Sequence, residues 1–222
     1  MTEAGPARPA APVDRPVGRM VAAVMVPPLA LAAAGLIHPI YLTNASAMGW
    51  HDLHVLLLPV FPLLGLGPWL LGRRHGRVLG WTTGFLGYVY ATFYSALDVL
   101  AGIGAGALQQ RRLGGTFTLF AQGDDLARIG TWAYLAATVL TAGAACHTRR
   151  PRSAVTATST VAGTVLVLAG AWTFRTSHIF WPRGVLAMLA LAAGWTALVA
   201  VTPRSAPLDH SPAHADRPRR RP

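Results

Sequence analysis

Residues 78–98 read VLGWTTGFLGYVYATFYSALD, and this stretch decides the fold. From Val78 to Leu97 no residue carries a formal charge; Arg77 precedes the run and Asp98 ends it. A bilayer core takes roughly 20 apolar residues per spanning helix. At about 1.5 Å per residue, Asp98 lies about one bilayer thickness from Arg77, near the far boundary.

The same pattern recurs along the chain. Apolar runs cover Val17 to Leu36, Leu53 to Leu71, Ile129 to Cys146, Ala154 to Phe174 and Gly184 to Val201. With Val78 to Leu97 they make six spans, and an all-α integral membrane bundle over 17–202 is the expected fold. The stretch 1–16, rich in Pro and Ala, and the basic stretch 203–222 lack hydrophobic periodicity and are expected to be disordered tails. Of 222 residues, 53% are hydrophobic and 12% charged, with a mean hydropathy of +0.42, which excludes an ordinary soluble domain. Ala45-Ser46-Ala47 resembles a signal-peptidase site, but it lies about ten residues past the first apolar run, so that run is read as a retained span.

Prolines punctuate two spans. Pro27-Pro28 should kink the first, and Pro59, Pro62 and Pro68 interrupt the second, freeing carbonyls that need new partners. Gly80/Gly84 and Gly102/Gly106 have the GxxxG spacing that permits close helix approach. No internal repeat is evident.

The net charge of +11 comes from 19 arginines without a single lysine. Their clustering between apolar runs orients the chain against a bilayer and argues against a nucleic-acid partner. With a cytoplasmic N-terminus, the inner segments hold 14 arginines, in clusters at 8–19, 73–77, 149–152 and 204–221. The outer loops hold 5: Arg111, Arg112, Arg128, Arg175 and Arg183. The positive-inside rule therefore predicts both termini on the cytoplasmic side. Abundant Ala, Gly, Arg and Pro read as a bacterial composition, so the expected location is the inner membrane.

On that topology His38, His51, His54, Asp98 and His178 all reach the outer face. Ionisable groups at membrane depth are costly and mark pathways or sites. Three chemistries compete. In one, His38, His54, Asp98 and His178, with His51 or Met48 as adjuncts, bind a divalent metal such as Zn, Fe, Mn or Cu, since neutral imidazole and carboxylate suit these ions. In another, Tyr90, Tyr94 and Asp98 stack at i, i+4 and i+8, and Asp98 is the acid or base of an aromatic pocket. Aromatic rings stabilise developing cations, so that pocket would suit an isoprenoid or other lipid-like substrate. The logic is analogous to that of small membrane-embedded terpene cyclases, without a matching motif. In the third, the same groups form a proton or ion route in a transporter component or a membrane-complex subunit with protein partners.

A plainer reading stands beside these. Histidines and Trp50, Trp132 and Trp181 at span ends serve as interfacial anchors, with His51 and His178 at the rim. Asp98 then needs a structural partner, for which Arg111 or Arg112 is the candidate. Asp124-Asp125 and Asp52 are expected to cap the fourth and second spans. His75 and His147 sit among the inner arginines, and His210 and His214 lie in the tail. Cys146 stands alone, so no internal disulfide or CxxC pair exists, and it is expected to be a small buried residue. No phosphate-binding loop, nucleophile elbow or dinucleotide fingerprint is present.

Overall fold

A computed structural model describes residues 15–147 and 153–202. Among these residues every regular element is helical. The elements are α1 (Arg15–Ile37), α2 (Ala47–Leu57), α3 (Leu66–Gly72), α4 (Arg77–Leu97), α5 (Ala105–Gln110), α6 (Thr116–His147), α7 (Ala154–Ser177) and α8 (Arg183–Val201). Five helices are long and apolar enough to cross a membrane. The pair Ala47–Leu57 and Phe61–His75, bent by 43° at its break, makes six if it counts as one span. Residues 1–14 of the tail expected at 1–16, and all of 203–222, lie outside the described residues, as do the arginines at 149–152, while Arg15 and Pro16 belong to α1.

The apolar runs set the elements, but their ends differ from the sequence reading where buried polar groups or prolines intervene. α1 starts at Arg15 and runs through Pro27 and Pro28. The second span is not one helix. Pro59 lies in its break, Pro62 opens a 3₁₀ turn over Phe61–Gly65, and α3 follows. Carbonyls in the broken region take donors from other helices: the Tyr90 hydroxyl donates to the Phe61 carbonyl at 3.0 Å, and the Thr141 hydroxyl to that of Pro68 at 3.1 Å.

The third span does not stop at Leu97. It continues through a π-helical segment, Asp98–Gly104, into α5, as one 34-residue helix from Arg77 to Gln110. α6 begins at Thr116 rather than Ile129, so Asp124 and Asp125 lie inside it instead of capping it. Asp52 is likewise interior to α2, whose cap position is Ser46. Cys146 is exposed, not buried, with its thiol 3.4 Å from the Thr164 hydroxyl of α7.

α7 packs on α8, α8 on α1, and α6 on both α4 and α7, while α2 lies against the π segment and α5. The core is aromatic at its centre. Tyr90, Tyr134, Phe61, Phe174 and Trp195 are almost wholly buried, and the Trp195 indole reaches the Tyr134 hydroxyl at 3.3 Å. Large exposed apolar side chains such as Phe85, Tyr88, Val161 and Leu186 ring the outside, as a lipid-facing surface requires.

Candidate functional site

Three chain turns deliver imidazoles to one place. His38 follows the end of α1, where Pro39 stops the helix. His54 sits in the last turn of α2. His178 caps α7 with φ of 48° and ψ of −135°. That backbone region is uncommon outside glycine and costs of order 1–3 kcal/mol. One ligand atom from each of the three histidines lies within 4.8 Å of the others. The His54 and His178 rings are parallel with centroids 6.1 Å apart, and His38 stands edge-on to both.

Two glycines allow this convergence. A Cβ at Gly35 of α1 would overlap the Ile179 carbonyl, so α1 meets the turn carrying His178 backbone to backbone. A Cβ at Gly102 would overlap the His54 ring, which lies directly on the π segment. Gly106, one spacing further, gives the same clearance to His51.

Hydrogen bonds orient the rings. His38 Nδ1 donates to the Pro39 carbonyl at 2.7 Å and His54 Nδ1 to the Trp50 carbonyl at 2.7 Å. A carbonyl only accepts, so each Nδ1 carries the proton and each Nε2 keeps its lone pair. His38 Nε2 is buried without a hydrogen-bond partner. His178 Nδ1 is hydrogen-bonded to the Tyr94 hydroxyl. Burial holds the His38 imidazole below its ordinary range, partly offset by the Pro39 carbonyl. Burial lowers His178 strongly, and the neighbouring His38 and His54 add to the effect.

Asp98 opens the π segment, and its side chain is fully buried. Its Oδ1 lies 3.9 Å from His54 Nε2, beyond hydrogen-bonding distance, and neither carboxylate oxygen has a hydrogen-bond partner. Arg111 and Arg112 lie exposed past the end of α5 and make no ion pair with it, so the expected structural partner is not there. Buried carboxylate oxygens without partners are rare and call for an explanation. A cavity of about 240 Å³ reaches this carboxyl, lined by Trp50, His54, Asp98, Phe120, His178 and Phe180 among others.

The sequence-derived candidates thus separate. His38, His54, His178, Tyr94 and Asp98 come together. His51 turns aside to Asp52, 2.8 Å away, with its side chain 29% exposed. Tyr90 gives its hydroxyl to Phe61, as described above, and Met48 is exposed. His178 belongs to the centre of the group instead of its rim. Trp50 is no interfacial anchor: it is buried, and its indole donates to the Ala101 carbonyl at 3.0 Å, within the π segment. Phe61 and Phe180, which carry no polar group to mark them in the sequence, pack tilted against His178 at centroid distances of 5.3 and 5.2 Å. Phe180 follows His178 by two residues, and that proximity was the available signal.

A second cavity of about 450 Å³ lies at the other end of α4, lined by Trp69, Arg73, Arg77 and Trp81. It offers no carboxylate or imidazole, so it lacks the reactive groups of the first. No family model, curated protein or solved structure matches the chain. The chemistry therefore rests on the side chains themselves.

Proposed function

We propose that this chain is a six-span protein of a bacterial inner membrane and that it is an enzyme acting on a lipid-phase substrate. Its site lies at the outer face, with both termini cytoplasmic and Asp98 as the acid or base. The buried, unpartnered carboxyl of Asp98 in an aromatic-lined cavity is the observation that carries this reading.

The path of the chain supports six crossings. His54 lies beside Asp98, whereas Arg77 lies about 31 Å away along α4. The segment between His54 and Arg77 must therefore return the chain from one end of the bundle to the other. An even number of crossings leaves both termini on one side, and the arginine distribution favours the cytoplasm for that side.

The cavity also bounds the substrate. About 240 Å³ is below the roughly 300–1,000 Å³ of sites that enclose drug-sized ligands. It admits the reacting end of a lipid, not its whole length. Trp50, Phe120 and Phe180 beside a carboxyl suit a substrate that develops positive charge, as an isoprenoid does on protonation.

The test uses full-length protein in liposomes, a panel of prenyl alcohols and prenyl diphosphates, and product detection by mass spectrometry. Wild type converts at least one member, and Asp98→Asn lowers turnover by 10²-fold or more, the scale of a lost general acid or base. Circular dichroism and gel filtration must show the variant folded. A folded Asp98→Asn with unchanged turnover refutes the assignment. Substrate-independent proton flux under a pH gradient would replace it with the transport reading.

A further inference from the structure

We propose that His38, His54 and His178 bind a single divalent transition-metal ion, with Asp98 facing the open side of its coordination sphere. This deepens the reading above and rests on the same cavity, but it needs no knowledge of the substrate.

The donor geometry comes first. Three ligand atoms from three separate turns of chain lie within 4.8 Å of one another. Metal–imidazole bonds of about 2.0–2.1 Å place the donors of a tetrahedral ion about 3.4 Å apart. Ring rotations that close the longest separation by about 1.4 Å bring the three histidines onto one ion. Oδ1 of Asp98 lies 3.9 Å from Nε2 of His54, about half an ångström from that spacing.

Orientation is the second argument. A metal-ligating histidine donates its other ring N–H to a carbonyl, carboxylate or water, which fixes the tautomer. His38 and His54 both do so through backbone carbonyls, and the nitrogen this leaves on His38 is buried with nothing to bind. An ion accounts at once for that lone pair and for the two unpartnered oxygens of Asp98.

Strain is the third. His178 occupies a glycine-like backbone conformation, yet the residue is histidine. Its imidazole is what the turn retains against that cost.

The donor set selects the class of ion. Three imidazoles, with no thiolate or thioether in the cluster, suit Zn(II), Fe(II), Mn(II) or Cu(II) and disfavour Cu(I). Three protein imidazoles with a fourth position open is a catalytic zinc arrangement. Zn(II) is therefore the ion to test first. When bound, it would supply a Lewis acid or an acidified water beside Asp98.

The experiment takes full-length protein purified through a tag without histidine, stripped with chelator, and reloaded separately with Zn(II) and Cu(II). We expect one equivalent of zinc by elemental analysis and a higher melting temperature on loading. Paramagnetic resonance of the Cu(II) form should show hyperfine coupling to three imidazole nitrogens. His38→Gln, His54→Gln and His178→Gln should each weaken zinc binding 100-fold or more. His51→Gln, on the same helix as His54, should bind as wild type does. Less than 0.2 equivalent of zinc retained by wild type, or a Cu(II) spectrum without nitrogen coupling, overturns the site. Both readouts use the wild-type chain, so they decide the matter even where a variant fails to fold. Metal retained by an active Asp98→Asn protein would refute the acid–base reading alone. Turnover by metal-free wild type would refute metal assistance alone.

Discussion

His178 is where residue chemistry and backbone geometry conflict most openly. With φ of 48° and ψ of −135°, it holds a conformation open to glycine and costly for a side chain. Replacement by alanine removes the imidazole and its hydrogen bond to Tyr94 but keeps the strain; replacement by glycine removes both. The pair therefore isolates the backbone contribution. His178→Gly should be more stable than His178→Ala by about 1–3 kcal/mol in a denaturant titration in detergent, although both lose the same ring. Equal stabilities would mean that the turn relaxes without help from glycine, and that the strain argument is wrong. This also marks a limit of sequence reading at residue scale. Asp98 and the histidines stood out because charged and imidazole groups are conspicuous among apolar runs. Nothing in the string Thr176-Ser177-His178-Ile179 announces a positive φ, so His178 read as a rim residue. Trp50 misled for a related reason: a tryptophan at a span end suits the membrane interface, and only tertiary packing shows its indole bonded to the Ala101 carbonyl.

At the scale of elements, the π segment Asp98–Gly104 is the feature with the widest consequences. π segments are rare and recur at functional sites. This one begins at the buried carboxylate, offers a carbonyl to Trp50 and presents Gly102 to the His54 ring. The apolar run from Val78 to Leu97 was legible because hydropathy is additive along a helix. Its continuation to Gln110 was not, because a charged residue ends an apolar run whether it is solvated or buried. The prolines of the second span were legible as breaks, but the hydroxyls that reach carbonyls in the broken region, those of Tyr90 and Thr141, come from remote helices. The GxxxG pair at Gly102 and Gly106 was visible as spacing, and the structure gives it a partner in α2. Gly102→Ala would drive a methyl group into a ring fixed by its hydrogen bond to Trp50. Overpacking of this kind costs about 1–3 kcal/mol, and here it should also displace His54. Gly49→Ala on α2 meets nothing within 4 Å and is the control, expected to be neutral or stabilising by about 0.5–1 kcal/mol. Unfolding in detergent checks both. Gly102→Ala as stable as wild type would show that α2 does not depend on this contact.

At the scale of the whole molecule, the site exists because chain reversals at one end of the bundle bring together groups remote in sequence. The C-terminal ends of α1, α4 and α7 deliver His38, Asp98 and His178, while the cavity wall draws Phe120 from the start of α6. Helices that share this end with their C-termini run in one direction, and α6 and α8 run in the other. The proposed six-span path has the chain segment from His54 to Arg77 cross despite its 43° bend. Were it a re-entrant loop, Arg77 would start α4 at the same end as His54, and α4 would carry Asp98 away from the histidine it adjoins. The orientation proposed from the arginines makes a definite prediction. In a Cys146→Ala background, Ala45→Cys lies in the loop between α1 and α2, and Arg149→Cys follows the last residue of α6, His147, by two positions in sequence. In intact cells an impermeant maleimide should label position 45 and leave position 149 unlabelled until the membrane is opened. Labelling of 149 alone would invert the bundle and place the site on the cytoplasmic face, leaving its chemistry in place but changing the side from which substrate and metal arrive. Labelling of both from outside would break the six-crossing path, and with it the inference that the imidazoles and Asp98 share one membrane face.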